Sequence, residues 1–291
     1  MNAVKEKAYA KINLYINVIG RRDDGFHDIS TVMHSVSLCD EVTVTLNGMG
    51  RKNIRVFLDG NKRLPTDGKN LAFAAADLFL SRGALNADIS IKLNKRIPVS
   101  AGLAGGSSDA AATLRAMNRL FKRPFSDKAL LTMAEALGSD VPYCLLGGTA
   151  LCEGRGERIT RIPSEICLHT VIASSGEHIS TPRAYAMLDE IHGSFSLTDE
   201  QDRMQKAVLE CVKNEDPREL RLYNMFEDAV LPLCPIADAL RTRIMELGAL
   251  QSMMSGSGPS VYGIFESEDK AREAEKILLN EGVLAFYARS V

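Results

Sequence analysis

What this chain lacks most plainly is an excess of charge of either sign: 35 Lys and Arg stand against 37 Asp and Glu, a net charge of −2 over 291 residues. A field that weak attracts neither a nucleic-acid backbone nor an anionic membrane surface, so no nucleic-acid or membrane partner is expected and a small molecule is. Long apolar runs are missing too, none approaching the roughly 18–20 residues of a membrane span. Nor do the first residues, Met1-Asn-Ala-Val-Lys-Glu-Lys7, form an export signal, since they lead straight into a strand pattern. A cytoplasmic protein is expected. The cysteines Cys39, Cys144, Cys152, Cys167, Cys211 and Cys234 lie far apart, with no C-x-x-C and no paired His spacing to hold zinc. They are expected to be reduced and mostly buried. Repeats, low-complexity tracts and Pro-rich linkers are absent, and the length suits two lobes of roughly 130–150 residues.

What the chain does have is glycine concentrated ahead of a helix-forming stretch. In Pro98-Val-Ser-Ala-Gly-Leu-Ala-Gly-Gly-Ser-Ser-Asp-Ala-Ala-Ala112, Gly102, Gly105 and Gly106 let the backbone approach a ligand closely. Ala110, Leu114, Met117 and Phe121 then keep a helical spacing. Ser107 or Ser108 is read as the cap of a helix starting near Asp109, whose free N–H groups favour a phosphate. The loop matches neither Walker A, which needs Lys after its last glycine, nor G-x-G-x-x-G. By themselves these residues fit an anion cradle and a plain connection equally well.

Ile12, Leu14, Ile16 and Val18 alternate with Lys11, Asn13, Tyr15 and Asn17, the pattern of a half-buried strand with one polar face. Arg21-Arg-Asp-Asp-Gly25 turns the chain. Further strands are expected over 30–38, 41–46, 54–58 and 89–93, and helices over 70–81, 108–121 and 126–137. Beyond Gly147-Gly-Thr-Ala-Leu-Cys-Glu-Gly-Arg-Gly156 come a strand near 168–173, helices near 181–190, 199–213 and 236–247, and strands near 260–265 and 284–290. The order is α+β in both halves, with domains expected over 1–155 and 156–291.

Lys11 and Asn13, two apart on a strand, leave the same face together, either into a site or onto an ordinary solvated sheet face. Asp140 follows a helix ending near Leu137-Gly138 and precedes Val141-Pro142, a loop position at an element's end that turn aspartates often occupy. Gly25-Phe-His-Asp28 sets an aromatic beside an imidazole, a pair suited to a flat heteroaromatic base or to local packing.

With its flanks, the stretch from Pro98 to Ala112 resembles the phosphate loop of the GHMP kinases, the superfamily of galactose, homoserine, mevalonate and phosphomevalonate kinases. It is most similar to those members that act on a cytidyl-diphospho sugar alcohol. The resemblance runs in order from Ala8 to about Phe265, through Ala10-Lys-Ile-Asn-Leu14, Gly25-Phe-His-Asp28, Leu137-Gly-Ser-Asp-Val-Pro142, Glu153-Gly-Arg-Gly-Glu157, Ile179-Ser-Thr-Pro-Arg-Ala-Tyr185, Asn224-Met-Phe-Glu227 and Met254-Ser-Gly-Ser-Gly-Pro-Ser260. This last segment, read as joining a helix to a strand, resembles a glycine loop that packs beside the phosphate loop.

The resemblance implies a two-lobed GHMP kinase fold, with a ribosomal-S5-like N-terminal lobe, a ferredoxin-like C-terminal lobe and an active site in the cleft between them. It implies that ATP is held by Pro98, Val99, Ser100, Ala101, Gly102, Leu103, Ala104, Gly105, Gly106, Ser107 and Ser108, and that Lys11 and Asp140 are catalytic, with Asp140 the general base. Asn13, Phe26, His27, Thr181 and Tyr185 then contact substrate, Phe26 and Tyr185 sandwiching cytosine while His27 reads its edge. Magnesium is implied with ATP, its ligands unassigned, and a monomer or weak homodimer is expected. Two departures stand out: Phe26 lacks the hydroxyl of the tyrosine form, and Ala173-Ser-Ser-Gly176 replaces a Pro-Gly. The alternatives are a kinase of the homoserine or mevalonate type and a nucleotide-binding regulator without turnover.

Overall fold

The computed structural model describes residues 2–59 and 64–291. Contacts divide the chain into two compact units, one of Met1–Ala10, Cys39–Val99 and Ala104–Leu146, the other of Lys11–Leu38, Ser100–Leu103 and Gly147–Val291. Strands β1 (Ala3–Arg21) and β2 (His27–Met49) each contribute to both. Two features of these strands differ from the sequence reading. The face of β1 carrying Lys11, Asn13, Tyr15 and Asn17, expected as the polar face of a half-buried strand, is buried like the other; Lys11, Asn13 and Tyr15 find partners there, so burial leaves their polar groups satisfied. And β2 is one strand of 23 residues where two were expected. Asp40 does not break it, because its carboxylate takes the backbone N–H of Ile97 and the ammonium of Lys95.

In the first unit, β3 (Asn53–Asp59) precedes helix α1 (Leu71–Arg82) and β4 (Ala87–Asn94). β3 runs parallel to β4, and β4 antiparallel to the end of β2, with a bulge between Leu46 and Gly48. Period-two alternation sends Ala87, Ile89, Ile91 and Leu93 into the core. There they meet α1, α2 (Gly105–Leu120) and α3 (Asp127–Leu137) through Phe79, Leu80, Leu114, Met117 and Met133. The side chains of Asn70 and Ser126 cap α1 and α3, and the short α4 (Val141–Leu146) closes the unit.

In the second unit, β5 (Thr149–Gly154) pairs with β2 over Ile29–His34 and turns back as β6 (Arg158–Arg161). After β7 (His169–Ser174) come α5 (Thr181–His192), α6 (Asp199–Asn214), the two-residue β8 (Tyr223–Asn224) beside β1, α7 (Glu227–Val230) and α8 (Pro235–Glu246). β9 (Gln251–Met254), β10 (Val261–Phe265), α9 (Glu268–Asn280) and β11 (Leu284–Arg289) complete the chain. The order β11-β7-β10-β9 forms an antiparallel sheet, whose Val171, Val261 and Phe265 pack against Ile244 of α8 and Leu278 of α9. All six cysteines are free thiols; Cys167 is exposed, Cys144 partly buried and the rest buried. Among the described residues no helix is long and apolar enough to cross a membrane.

Candidate active site

The glycine loop carries left-handed backbone at alternate positions: φ is +53° at Ser100, +74° at Gly102 and +58° at Ala104. Only glycine takes that conformation freely, so two L side chains held in it are strained, as loops that aim amides at a ligand often are. Helix α2 begins at Gly105, earlier than expected, and its N-cap residue Ala104 offers no side-chain bond. Ser107 and Ser108 therefore lie inside the first turn and do not cap it. The Ser108 hydroxyl instead donates to the Tyr9 carbonyl and sits 3.4 Å from Cys144 Sγ. The first N–H groups of a 16-residue helix are thus left without a side-chain cap, the arrangement that binds phosphate.

Beneath that turn lies a buried trio. Lys95 Nζ is 2.6 Å from Asp109 Oδ2 and also donates to Asp40. One ammonium thus ties the first turn of α2 to β2 and to the end of β4. Burial pushes the Asp109 carboxyl above the usual carboxylate range, against the pull of Lys95.

Gly102 faces a second glycine loop. Ser255 Oγ donates to its carbonyl at 3.1 Å and Lys11 Nζ to the same oxygen at 2.7 Å. Lys11 also donates to Asn13 Oδ1 at 2.6 Å, and Asn13 Nδ2 to Thr31 Oγ1 at 2.8 Å, so the two β1 residues expected to act together are joined directly. Gly256 has no room for a side chain: a Cβ there would lie 2.9 Å from Lys11 Nζ and 3.0 Å from the Gly102 carbonyl. The segment from Met254 to Ser260 joins β9 to β10, two antiparallel strands, rather than a helix to a strand. Two residues brace it. Asn224 Nδ2 donates to the carbonyls of Met254, at 2.7 Å, and Gly256, at 2.9 Å, while the Glu227 carboxylate accepts the Met254 N–H at 2.7 Å. Desolvation raises the Glu227 pKa. The sequence reading noted both residues without giving them this work, because their partners are backbone atoms about 30 positions away.

Asp140 stands immediately before α4, partly buried, its carbonyl accepting the Cys144 N–H at 3.0 Å. Phe26 is 51% exposed, with the Arg155 guanidinium 4.1 Å from its ring centre. His27 is buried, and Tyr185 stacks on it with centroids 4.7 Å apart. Tyr185, expected to cover a bound base, here covers the imidazole, because its place on α5 aims it at the start of β2. Thr181 Oγ1 lies 3.0 Å from Ser257 Oγ, which brings the Ser-Thr segment against the second glycine loop.

A model described as the GHMP kinases N terminal domain matches residues 70–148, and one described as GHMP kinases C terminal matches 197–283. The 4-diphosphocytidyl-2-C-methyl-D-erythritol kinase of Lachnospira eligens is 39% identical over 284 residues, covering 97% of this chain and 96% of its own. A crystal structure of 4-(cytidine 5'-diphospho)-2C-methyl-D-erythritol kinase matches 99% of this chain and 100% of its own, with a TM-score of 0.81 at 30% identity. The homoserine kinase of Cytophaga hutchinsonii, at 21% identity and a TM-score of 0.75 over 100% of this chain and 95% of its own, shares the fold.

Proposed function

Because the chain belongs to the GHMP kinases, and among them to the 4-diphosphocytidyl-2-C-methyl-D-erythritol kinases, we propose that it moves the γ-phosphoryl of ATP to the 2-hydroxyl of that cytidyl sugar alcohol, a step of the non-mevalonate route to isoprenoid precursors. The observation that carries the reading is the start of α2, a helix N-terminus without a side-chain cap behind left-handed backbone at 100, 102 and 104. Residues Pro98 to Ser108 are proposed to hold the ATP phosphates through these amides.

Phosphoryl transfer asks a protein to align a hydroxyl and to offset charge on oxygens, with little covalent work of its own. Asp140 takes the proton of the attacking hydroxyl, and Lys11, steadied by Asn13 and the Gly102 carbonyl, stabilises the oxygen it leaves. Asn13 and Thr181 contact the sugar alcohol. Phe26 gives cytosine its exposed aromatic face, with Tyr185 and His27 completing the base site. Among the described residues no group of three His, Cys, Asp or Glu could hold a metal ion. Magnesium would be held chiefly by phosphate oxygens and water and would neutralise charge on ATP. Ser107 is the loop hydroxyl left to reach it, Ser108 being bonded to Tyr9. We further propose a working division into an ATP-binding part over 1–155 and a substrate-binding part over 156–291, in a cytoplasmic monomer or weak homodimer.

The test is ADP release with ATP and magnesium, offering the cytidyl substrate, homoserine and mevalonate in parallel. Release with the cytidyl substrate alone is expected. Release with another alcohol would remove the cytosine site, and no release at all would leave a nucleotide-binding regulator.

A further inference from the structure

Among the rings proposed around the base, His27 has its hydrogen-bonding sense set by a partner, Asp189. His27 opens β2, and only 8% of its surface is exposed. Three side chains fix its ring. Tyr185 lies nearly flat against it, at 4.7 Å and 20°, and Phe195 meets it edge-on, at 5.5 Å and 86°. Asp189, four residues beyond Tyr185 and so on the same face of α5, holds Nε2 at 2.8 Å through Oδ1. Arg21 lies 3.9 Å from the other oxygen of Asp189.

A carboxylate only accepts hydrogen bonds. Nε2 is therefore the nitrogen that carries the proton, and in the neutral ring Nδ1 is left as an acceptor. A second partner that fixes a histidine's tautomer in this way is a recurrent device where the other nitrogen has work to do.

We propose that Asp189 is a positioning and specificity residue: by fixing the Nε2–H form of His27, it leaves Nδ1 to accept from the amino group of a pyrimidine, and so selects a 4-aminopyrimidine over a 4-ketopyrimidine. This rests on the reading of His27 as the base contact. A keto oxygen would turn lone pairs toward Nδ1 where an amino group turns an N–H, and two acceptors facing each other in a dry site forfeit the bond on both sides. Mismatches of that kind discriminate by roughly 10- to 100-fold or more. Asp189 lies outside every motif quoted from the sequence; only the pairing of α5 with the start of β2 reveals it.

The first readout is the ring itself. A long-range proton–nitrogen correlation spectrum of the full chain, labelled at its five histidines and assigned with His27→Gln, is expected to show the Nε2–H tautomer for His27. An Nδ1–H form in the wild type would overturn the proposal. The second readout is selectivity. Asp189→Leu is expected to lower the ratio of kcat/KM for the cytidyl substrate to that for its uridyl counterpart by roughly 10-fold or more, with the KM for ATP unchanged and Asp189→Glu restoring the ratio. An unchanged ratio, with the tautomer as expected, overturns the proposal and leaves the base contact standing. If instead His27→Ala does not alter the KM for the cytidyl substrate, the base contact itself is wrong and the proposal falls with it.

Discussion

Ser255 and Gly102 meet backbone to backbone: the Ser255 hydroxyl donates to the Gly102 carbonyl at 3.1 Å, and a Cβ on Gly102 would stand 1.9 Å from the Ser255 carbonyl oxygen. No rotamer change relieves that overlap, because the obstructing atom is main chain, and φ of +74° adds its own strain for any L side chain. Gly102→Ala is expected to lower the thermal midpoint by several degrees, about 2 kcal/mol or more, and kcat/KM for ATP by roughly 100-fold. Gly106→Ala is the control for stability, since a Cβ there meets only Leu71 at 3.7 Å and the residue already sits in the first turn of α2. Its midpoint should equal or exceed that of the wild type. Equal midpoints for wild type and Gly102→Ala would contradict the close approach of the two loops.

His34 gives the second unit one acid-sensitive contribution. Its ring is fully buried between Thr149 Oγ1, at 2.8 Å, and Ser290 Oγ, at 2.7 Å, and burial lowers its pKa from 6.5 to about 4. A folded-state pKa below the unfolded one means that the unfolded chain binds more protons between these values. The contribution of His34 is therefore whole above about pH 6.5 and fades as the pH falls toward 4. The loss approaches roughly 3 kcal/mol. Urea unfolding from pH 7.5 down to pH 4.5 should show this slope in the wild type and a shallower one in His34→Gln. Parallel slopes would mean that His34 is protonated as easily folded as unfolded.

Asp140→Asn keeps the size of the side chain and the backbone bond to Cys144 while removing the proton acceptor. Turnover with the cytidyl substrate is expected to fall by roughly 100-fold or more, with the KM for ATP within about 2- to 3-fold of wild type. Steady-state kinetics on a variant with an unchanged melting curve decide it. Near-normal turnover would take Asp140 out of the chemistry.

Elements with a strong local signal were legible in the sequence. α1, α3, α5 and α6 begin within a residue or so of their expected starts, where side chains of Asn70, Ser126, Ser180 and Thr198 cap them. The misses have a common cause, partners remote in the chain. β2 runs unbroken through Asp40, whose partner Lys95 lies 55 residues on. The burial of the polar face of β1 is not legible locally, because Thr31 and the Gly102 carbonyl, which satisfy Asn13 and Lys11, come from a neighbouring strand and a distant loop. α9 is hard to read in the sequence despite its Ser267 cap, because two of its three buried positions, Ala271 and Ala274, carry little apolar signal beside Leu278. β9 is only four residues long, too short to show between the helix pattern before it and the glycine loop after it. Of the site, Lys11, Asn13 and the glycine loop were visible as motifs; Asp189 and the bracing by Asn224 and Glu227 were not, since each acts on atoms that only folding brings near.

Asn224 tests whether that bracing matters to the chemistry. It makes three bonds at once, donating to the carbonyls of Met254 and Gly256 and accepting the Phe226 N–H at 2.9 Å, all of them buried. Asn224→Asp keeps the acceptor and the shape but sets a carboxylate oxygen against two carbonyls. Repulsion there, with two acceptors left unpaired, is expected to cost about 2–4 kcal/mol in urea unfolding. The second glycine loop should loosen as a result, and Lys11, which has Gly256 against its ammonium, should lose its fixed position. At a temperature where the variant remains folded, kcat should therefore fall roughly 10-fold or more while the KM for the cytidyl substrate changes little. A variant that is less stable but turns over normally while folded would confine Asn224 to holding the structure together, and would show that the loop after β9 need not be rigid for phosphoryl transfer.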